Sequence, residues 1–332
     1  MQTGLDSAPS AAVSPRAMRT RSLGRSSVQT PEIGLGTWSL AGEAYGGVTP
    51  EDARATLEAA LDEGASFLET ADCYGEGRVE TLIGEVLKAR GRDKALVSTR
   101  VGVDRSGEIT RKDFSPKYLT AACERSLKRL QTDHVDALVL HNPQVGTLTK
   151  GDAWRCLEAL KGAGKARLLG VSVGSVDAAE AAVALGADLL VVPYNLFFSK
   201  LLHSIAGLVS SGPRGPVGVV VRSPLGYGVL ADTWGASRRF NEDDHRMYRW
   251  STADLATRVR QREALRVLVE GDVRSIRELA LRYVLANGVV SVVVPGARRA
   301  EHARENAHAA DALPYLSDRA LTSVGTLLSG AA

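Results

Sequence analysis

The sequence has few cysteines, no long hydrophobic run and no strong excess of either charge. Its three cysteines, Cys73, Cys123 and Cys156, are scattered along 332 residues and form no CxxC pair. This usage argues against a disulfide framework or a zinc site and favours a reducing compartment, so we expect a cytoplasmic protein without a metal. The longest apolar stretches, such as Val289–Val294, have the length of a strand and fall far short of a membrane span.

The charge balance excludes further classes of partner. With 41 basic and 38 acidic side chains the formal net charge is only +3, and the basic residues form no concentrated stretch with interleaved aromatics. We therefore expect neither a nucleic acid nor a membrane as a partner. The hydrophobic content of 44% over 332 residues is enough for a large core, either one α/β barrel or two smaller domains.

The beginning of the chain differs from the rest in composition. Residues 1–17 are rich in Ser, Ala and Pro and lack the apolar core of a signal peptide. We predict a disordered extension here, and translation that starts at Met18 is an alternative explanation of the segment. The remaining residues, 18–332, are predicted to form a single domain.

After Met18 the pattern begins with a hairpin and then alternates between strands and helices. The hairpin is predicted from Arg19–Leu23 and Val28–Ile33, which flank a Gly-Arg-Ser-Ser turn. Strand patterns follow at 33–35, 67–69, 95–99, 135–140, 168–173, 189–192, 217–221 and 290–294. Helical patterns follow at 50–61, 79–90, 115–130, 150–163, 176–185, 201–210, 275–287 and 300–310, the last clear helix.

Roughly eight β-then-α units predict an α/β fold, a (β/α)8 TIM barrel with an N-terminal β-hairpin. The alternation breaks at Gly226–Gln261, whose aromatic-bearing part Phe240–Trp250 is predicted to be a long loop over the barrel mouth. A doubly wound sheet is the alternative architecture. It ranks lower because no Gly-rich dinucleotide fingerprint follows an early strand.

Three of the predicted strands end at chemically reactive side chains. Glu69 closes one strand and is followed by Tyr74, Arg100 closes the next, and His141 follows the third. The carboxyl ends of neighbouring parallel strands share one rim, and in a β/α barrel that rim carries the active site. A carboxylate, a phenol, a cation and an imidazole brought together make a proton-transfer site.

Seven segments along the chain carry a recognisable pattern. They are Gly34–Trp38, Glu69–Tyr74, Leu138–Pro143, Gly170–Ser172, Pro193–Leu196, Ser223–Leu225 and Val294–Asn306. Taken in order, they resemble the aldo-keto reductase family from Met18 to nearly the carboxyl end. The resemblance implies a (β/α)8 barrel that binds NADPH without a Rossmann domain and reduces aldehydes or ketones.

The family's catalytic set is an Asp, a Tyr, a Lys and a His, and the resemblance carries it onto four positions. Tyr74 and His141 match the Tyr and the His, whereas Glu69 stands in place of the Asp and Arg100 in place of the Lys. A guanidinium also supplies positive charge to the phenol, but it stays protonated and prefers paired contacts with a carboxylate. We interpret the two changes as a coupled exchange of one ion pair for another. The alternative is a decayed site whose pair is only structural.

The resemblance also implies a cofactor site near the carboxyl end. Pro295–Asn306 is predicted to be a strand end that opens into a helix, where free backbone N–H groups face an anion. Arg298 and Arg299 would bind a 2′-phosphate, which favours NADPH over NADH. Glu305 and Asn306 match the family's contacts with adenine.

Other cofactor contacts are implied along the middle of the chain. Ser223 and Leu225 match the family's pyrophosphate loop, in which Gly228 allows close backbone approach. Tyr194 is expected near the nicotinamide. The full predicted set is Gly36, Thr37, Trp38, Ser172, Tyr194, Ser223, Leu225, Gly228, Gly296, Ala297, Arg298, His302, Glu305 and Asn306.

The function that the resemblance implies is reduction of an aldehyde or ketone to an alcohol by NADPH. Tyr74 would donate the proton, and His141 would orient the carbonyl oxygen of a small-molecule substrate. The substrate pocket is expected to include Trp38, Tyr45 and parts of Phe240–Trp250. Two alternatives stay open on the same barrel: a regulatory nucleotide-binding protein, and a redox-neutral lyase or cyclase.

Overall fold

A closed parallel barrel forms the centre of the protein. The structure, a computed structural model, describes residues 17–43, 45–105 and 109–331. In this part of the chain the strands are β1 (Thr20–Ser22), β2 (Gln29–Pro31), β3 (Leu35–Gly36), β4 (Phe67–Ala71), β5 (Leu96–Val101), β6 (Val103–Asp104), β7 (Arg111–Lys112), β8 (Val135–Leu140), β9 (Ala166–Ser172), β10 (Leu189–Pro193), β11 (Gly218–Arg222) and β12 (Val292–Val294).

The order of the strands confirms the predicted barrel. Within the described residues, β3, β4, β5 and β8 to β12 form one sheet in which every strand pairs in parallel with the next one along the chain. Parallel bridges between Ile33 and Val293 and between Gly36 and Gly296 join the first and last strands and close the sheet. β1 and β2 form the predicted antiparallel hairpin.

Helices fill the connections between the strands. Thr49 caps the first one, since its Oγ1 accepts a hydrogen bond of 3.0 Å from the N–H of Asp52, and Pro50 occupies the first turn. Ser115 caps the third in the same way, 3.3 Å from the N–H of Tyr118. The helices are α1 (Pro50–Asp62), α2 (Arg78–Arg90), α3 (Pro116–Leu130), α4 (Val145–Lys150), α5 (Asp152–Gly162), α6 (Val176–Leu185), α7 (Lys200–Ser210), α8 (Thr252–Ala264), α9 (Ile276–Leu285), α10 (Ala300–His308) and α11 (Asp318–Gly330).

Alternate residues of each barrel strand face the interior, as the period of a strand requires. Side chains of the opposite parity, such as Leu68, Leu138 and Val192, belong to the layer between the sheet and the helices. The barrel interior is therefore a packed core, on which the side chains at the carboxyl ends of the strands form the outermost layer. That core contains Leu23, Val28, Phe67, Ala137, Val139, Leu168, Leu189, Val191, Val220, Val292 and Val294.

Several elements differ from the predicted ones. β6 and β7 were not predicted, because strands of two residues show no periodicity. The predicted helix at 150–163 corresponds to α5, and Gly151, with a φ of 76°, separates it from α4, a short helix that was not predicted. The prediction that 300–310 is the last helix is wrong, because α11 follows it after the cap Ser317. The last part of the predicted loop, from Thr252 to Gln261, belongs to α8, which begins with a capping box at Ser251.

The rest of the predicted mouth loop is confirmed. It contains two short 3-10 turns, Gly226–Ala231 and His245–Tyr248, and its residues line the cavity at the carboxyl ends of the strands. The predicted disordered extension at 1–17 lies, apart from Ala17, outside the described residues. In the described part of the chain, no helix combines the length and the apolar character needed to cross a membrane.

Candidate active site

Three barrel strands carry ionisable side chains toward one place. Glu69 lies two residues after Phe67, an interior residue of β4, so its side chain faces the barrel interior as well. By the same alternation, Arg100 at the end of β5 and His141 after β8 face the interior. Since all these strands are parallel, the three side chains emerge at the same end of the barrel. Tyr74 joins them from the turn after β4, and all four line one cavity. The predicted convergence at the rim is thus present in the fold.

The guanidinium of Arg100 bridges two of these groups. Its Nε lies 2.7 Å from Oε1 of Glu69, and both side chains are only 4% exposed. A second nitrogen, Nη2, donates a hydrogen bond to the hydroxyl of Tyr74. Burial is the largest single effect and lowers the pKa of Arg100, but Glu69, Tyr74 and further acidic groups together outweigh it, so the pKa is raised. The cation is therefore permanent, and it serves the acid and the phenol with different nitrogens.

Tyr74 is held as a neutral phenol. Burial raises its pKa far above the usual value, and the positive charge of Arg100 offsets only part of this effect. The ring lies between the stacked indole of Trp38, with centroids 6.0 Å apart, and the edge of the His141 imidazole at 6.4 Å. The phenol has a proton to give over the whole neutral range of pH.

His141 is neutral as well. Burial lowers the pKa of its imidazole well below the usual value, and the positive charges of Arg100 and Arg222 lower it further. The nearest sulfur is that of Cys73, 3.9 Å from Nδ1. Burial raises the pKa of this thiol to about 12, so it is protonated and is not a nucleophile. A neutral imidazole can orient a carbonyl oxygen by donating a hydrogen bond.

Aromatic rings enclose the cavity, whose volume is about 760 Å³. Trp38 stacks on His245 with ring centroids 4.5 Å apart, and Tyr45 meets the same imidazole edge-on at 4.7 Å. Tyr227 approaches it edge-on from the other part of the mouth loop at 5.7 Å. This cluster gives the cavity an apolar wall that the mouth loop covers. Trp38 and Tyr45, which are expected in the substrate pocket, both line this cavity.

Most of the predicted cofactor residues line this cavity or lie directly behind its lining. Thr37 and Ser172 lie behind the lining with fully buried side chains. Thr37 Oγ1 donates to the carbonyl oxygen of Glu69 at 3.0 Å, and Ser172 Oγ donates to Oδ1 of Asn142 at 2.9 Å, so both support residues of the rim from below. Those that line the cavity are Gly36, Trp38, Ser223, Leu225, Gly228, Gly296, Ala297, Arg298 and His302.

The predicted position of Tyr194 beside the nicotinamide is wrong. Tyr194 has the parity of Leu190 and Val192 and therefore leaves β10 on the outer face, in the layer under the helices. Its ring stacks on Tyr283 with centroids 5.6 Å apart, and its hydroxyl lies 3.2 Å from Nε2 of His203. Its role is packing and hydrogen bonding in that outer layer.

Comparison with known proteins decides the family. Residues 32–324 match the Aldo/keto reductase family. The chain belongs to this family. It is 27% identical over 289 residues to the aldo-keto reductase YhdN of Bacillus subtilis (strain 168), a match that covers 85% of this chain and 86% of that protein. It is 28% identical over 302 residues to a protein of Schizosaccharomyces pombe (strain 972 / ATCC 24843) named aldo-keto reductase yakc, NADP(+), covering 86% and 85%.

The fold is shared with solved structures of the same family. The glycerol dehydrogenase AKR11B4 from Gluconobacter oxydans matches with a TM-score of 0.80 and 26% identity, over 94% of this chain and 95% of that chain. As an aldo/keto reductase, the chain is an oxidoreductase of a family that uses nicotinamide cofactors and acts on small carbonyl compounds.

The start of α10 has the features of a phosphate site in this aldo/keto reductase. Its N-cap, Arg299, makes no side-chain capping bond, which leaves the positive end of the helix to an anion. Arg298 lines the cavity, and its Nε is buried without a hydrogen-bond partner, as is Oδ1 of Asn306 behind it. Gly296 also lines the cavity, where a Cβ would crowd Ser39, since it would lie 3.1 Å from the Oγ of that residue. These residues fit the adenosine-phosphate end of a nicotinamide cofactor.

The two arginines predicted for the 2′-phosphate are placed differently. Arg298 faces the cavity, whereas the side chain of Arg299 is 70% exposed and lies 3.5 Å from Glu301. Glu305 is outside the lining and contacts Arg277, which does line the cavity. Sequence reasoning missed Arg277, because it lies within α9 and no motif marks it.

Arg222 is the most informative residue that sequence reasoning missed. It ends β11 with the same parity as Val220, an interior residue, and it lines the cavity. The alternation of Gly218, Val220 and Arg222 was the signal that could have found it, but a single charge after a valine run looked like the end of a strand. The mouth loop adds Arg249, whose guanidinium lies 3.6 Å over the ring of Tyr227.

Proposed function

We propose that this aldo/keto reductase reduces an aldehyde or a ketone to an alcohol with NADPH. The observation that carries the proposal is the neutral phenol of Tyr74, which faces the cavity and is bound through its oxygen to the permanent cation of Arg100. A neutral acid next to a fixed positive charge is suited to releasing a proton, because the charge stabilises the phenolate that remains.

NADPH supplies the hydride when it is bound. The residues of the chain manage the proton and the orientation of the substrate. Tyr74 gives its proton to the carbonyl oxygen as that oxygen becomes negative, and the resulting phenolate is stabilised by Arg100. His141 donates a hydrogen bond to the same oxygen and holds the carbonyl against the phenol. Proton uptake from solvent then restores Tyr74.

The protonation state of the phenol suits reduction better than oxidation. Oxidation of an alcohol needs a base, and a phenol whose pKa lies far above its usual value supplies little phenolate near neutral pH. Reduction needs the acid form, which is the form present. The site therefore favours reduction at neutral pH.

Preference for NADPH over NADH rests on the start of α10. Arg298 presents an unpartnered Nε there, close to a helix start that lacks a side-chain cap. A 2′-phosphate would accept a hydrogen bond from this Nε and place negative charge at the helix start. A ribose hydroxyl carries no charge, so it would fit this place less well.

The test is NADPH consumption with a panel of aldehydes and ketones, together with the variant Tyr74→Phe. We expect the variant to lower kcat by about 10²- to 10⁴-fold, because it loses the proton donor with little change in volume. The affinity for NADPH should stay nearly unchanged. Tyr118→Phe is the matched control, since Tyr118 is outside the cavity and its hydroxyl bonds to the carbonyl oxygen of Val103.

Two outcomes would contradict the proposal. Turnover by Tyr74→Phe close to that of the unchanged chain would exclude Tyr74 as the proton donor. Tight NADPH binding without oxidation by any carbonyl compound would favour a regulatory nucleotide-binding protein on the same barrel.

A further inference from the structure

The turn that presents Tyr74 to the cavity has an unusual backbone conformation. Tyr74 follows β4 instead of lying in it, and residues 75–77 have φ values of 56°, 55° and 90°. The middle one is Glu76, and a residue with a side chain keeps such a left-handed backbone only where the surrounding structure holds it. The contact with Arg100 fixes the hydroxyl of Tyr74, which is the far end of its side chain. The backbone of the turn therefore needs contacts from other parts of the chain.

Glu43, between β3 and α1, supplies the first of these contacts. Its Oε1 accepts a hydrogen bond of 3.0 Å from the backbone N–H of Gly75, the residue after Tyr74. The same oxygen pairs with the guanidinium of Arg105. Its second oxygen, Oε2, lies 3.6 Å from Nη2 of Arg78, the first residue of α2. One carboxylate thus contacts the backbone of the turn and the residue at which the turn ends.

Arg105 supplies the second contact from another part of the rim. It follows β6, and its Nη1 donates a hydrogen bond of 3.5 Å to the carbonyl oxygen of Cys73, the residue before Tyr74. The pair of Glu43 and Arg105 therefore binds one backbone polar group on each side of Tyr74. The segments that follow β3, β4 and β6 meet at this pair. Tyr74 is thus fixed at three points, of which two belong to the backbone and one is its own hydroxyl.

We propose that Glu43 is a positioning residue, which with Arg105 fixes the backbone of Tyr74 so that the phenol meets the carbonyl oxygen of the substrate. The proposal rests on the proposed carbonyl reduction. Glu43 lies outside the described lining of the cavity, so it acts through Tyr74. The side chains of Glu43 and Arg105 are 29% and 35% exposed, and an ion pair so accessible to water adds little stability. A misplacement of about 1 Å, by contrast, can cost about 100-fold in rate.

The experiment compares two changes at Glu43 with one matched control. Glu43→Ala removes the contacts with Gly75 and Arg105 together. Glu43→Gln keeps an oxygen that can accept the hydrogen bond from Gly75 and removes the charge that holds Arg105. Glu85→Ala is the control, because Glu85 also pairs with an arginine of another helix, Arg54 of α1, and lies outside the described lining of the cavity. The reduction of 4-nitrobenzaldehyde by NADPH is measured for each protein.

We expect Glu43→Ala to lower kcat by about 10- to 100-fold, while the affinity for NADPH and the urea unfolding midpoint stay nearly unchanged. Glu43→Gln should keep more of the kcat, and Glu85→Ala should keep all of it. In the background of Tyr74→Phe, Glu43→Ala should leave the small residual rate almost unchanged, because the phenyl ring has no proton to place. Equal fold losses in kcat with and without the hydroxyl of Tyr74 would overturn the positioning role.

A spectroscopic measurement separates this proposal from the proposed function. The chain is labelled with 3-fluorotyrosine, and the fluorine resonance of Tyr74 is identified by its loss in Tyr74→Phe, so that no turnover is needed. Glu43→Ala should shift or broaden this resonance, Glu43→Gln should change it less, and Glu85→Ala should not change it. If no carbonyl is reduced but the resonance responds in this order, the contact stands and the reductase assignment fails. If carbonyls are reduced and Glu43→Ala changes neither the resonance nor kcat, the positioning role is refuted.

Discussion

Replacing Glu69 by Asp and Arg100 by Lys tests whether the two residues form one unit in support of Tyr74. Glu69→Asp withdraws the carboxylate by about one C–C bond, 1.5 Å. With Arg100 Nε now 2.7 Å away, the separation becomes about 4 Å, and Coulomb attraction falls by about 2 kcal/mol at an effective dielectric constant of 20. Because both side chains are only 4% exposed, solvent does little to replace the lost contact.

Arg100→Lys acts through a different loss. The guanidinium uses Nε for Glu69 and Nη2 for the hydroxyl of Tyr74, whereas an ammonium has one nitrogen. The single variant therefore gives up one of two contacts that involve a charge, at a cost of about 1.5–3 kcal/mol. Lysine in a buried site also titrates, so its variants should lose activity as the pH rises through the pKa of the ammonium, unlike the unchanged chain.

The double variant restores the ion pair that aldo-keto reductases usually carry. We expect its loss in kcat/KM and in the free energy of unfolding to be smaller than the sum of the two single losses by about 0.5–3 kcal/mol. The assay is a double-mutant cycle, with steady-state reduction of one aldehyde and urea unfolding measured for all four proteins. Losses that add without an interaction energy would refute the coupled exchange and favour two unrelated changes in a decaying site.

Two further predictions concern the cofactor site and the support of the active site. Arg298→Ala should weaken the binding of NADPH more than that of NADH, whereas Arg299→Ala, which changes an exposed side chain, should affect the binding of neither. Titration of both dinucleotides checks this. Equal losses of affinity for NADPH and NADH in Arg298→Ala would show that Arg298 does not bind the 2′-phosphate. Burial and then the negative charge of Glu80 raise the pKa of Asp72 to about 7, so ionising it in the folded protein costs stability as the pH rises from its unfolded value of 3.8 toward 7. Asp72→Asn should therefore gain stability relative to the unchanged chain between pH 5 and pH 8, and urea unfolding that shows the same difference at both pH values would contradict the reasoning.

The fold was predictable because strand and helix patterns alternate regularly along the chain. The convergence of Glu69, Arg100 and His141 followed from one rule, that parallel strands present their carboxyl ends on the same rim. Hydrophobic patterning carries this information locally. What it does not carry is the presence of elements as short as β6 and β7, whose two residues each are fixed by the surrounding packing.

The errors in the site share one physical cause. A motif gives the order of residues but not the face on which each side chain leaves its strand. Tyr194 was expected beside the cofactor, yet it has the parity of Val192 and packs outside the barrel, whereas Arg222 has the parity of Val220 and points inside. Counting alternate residues along each strand from those that face the barrel interior would have placed Arg222 inside the barrel and Tyr194 outside it. Arg277 is different, since only the packing of α9 beside α10 brings it to the cavity.

The charge balance of the rim supports the proposed chemistry. Burial raises the pKa of Tyr74 by more than the positive charges of Arg100 and Arg222 lower it, so the phenol stays protonated near neutral pH. Arg100 is the cation in contact with the phenol oxygen, where the negative charge appears when the proton leaves. The site thus keeps its acid in the form that donates a proton and stabilises the phenolate that the donation produces.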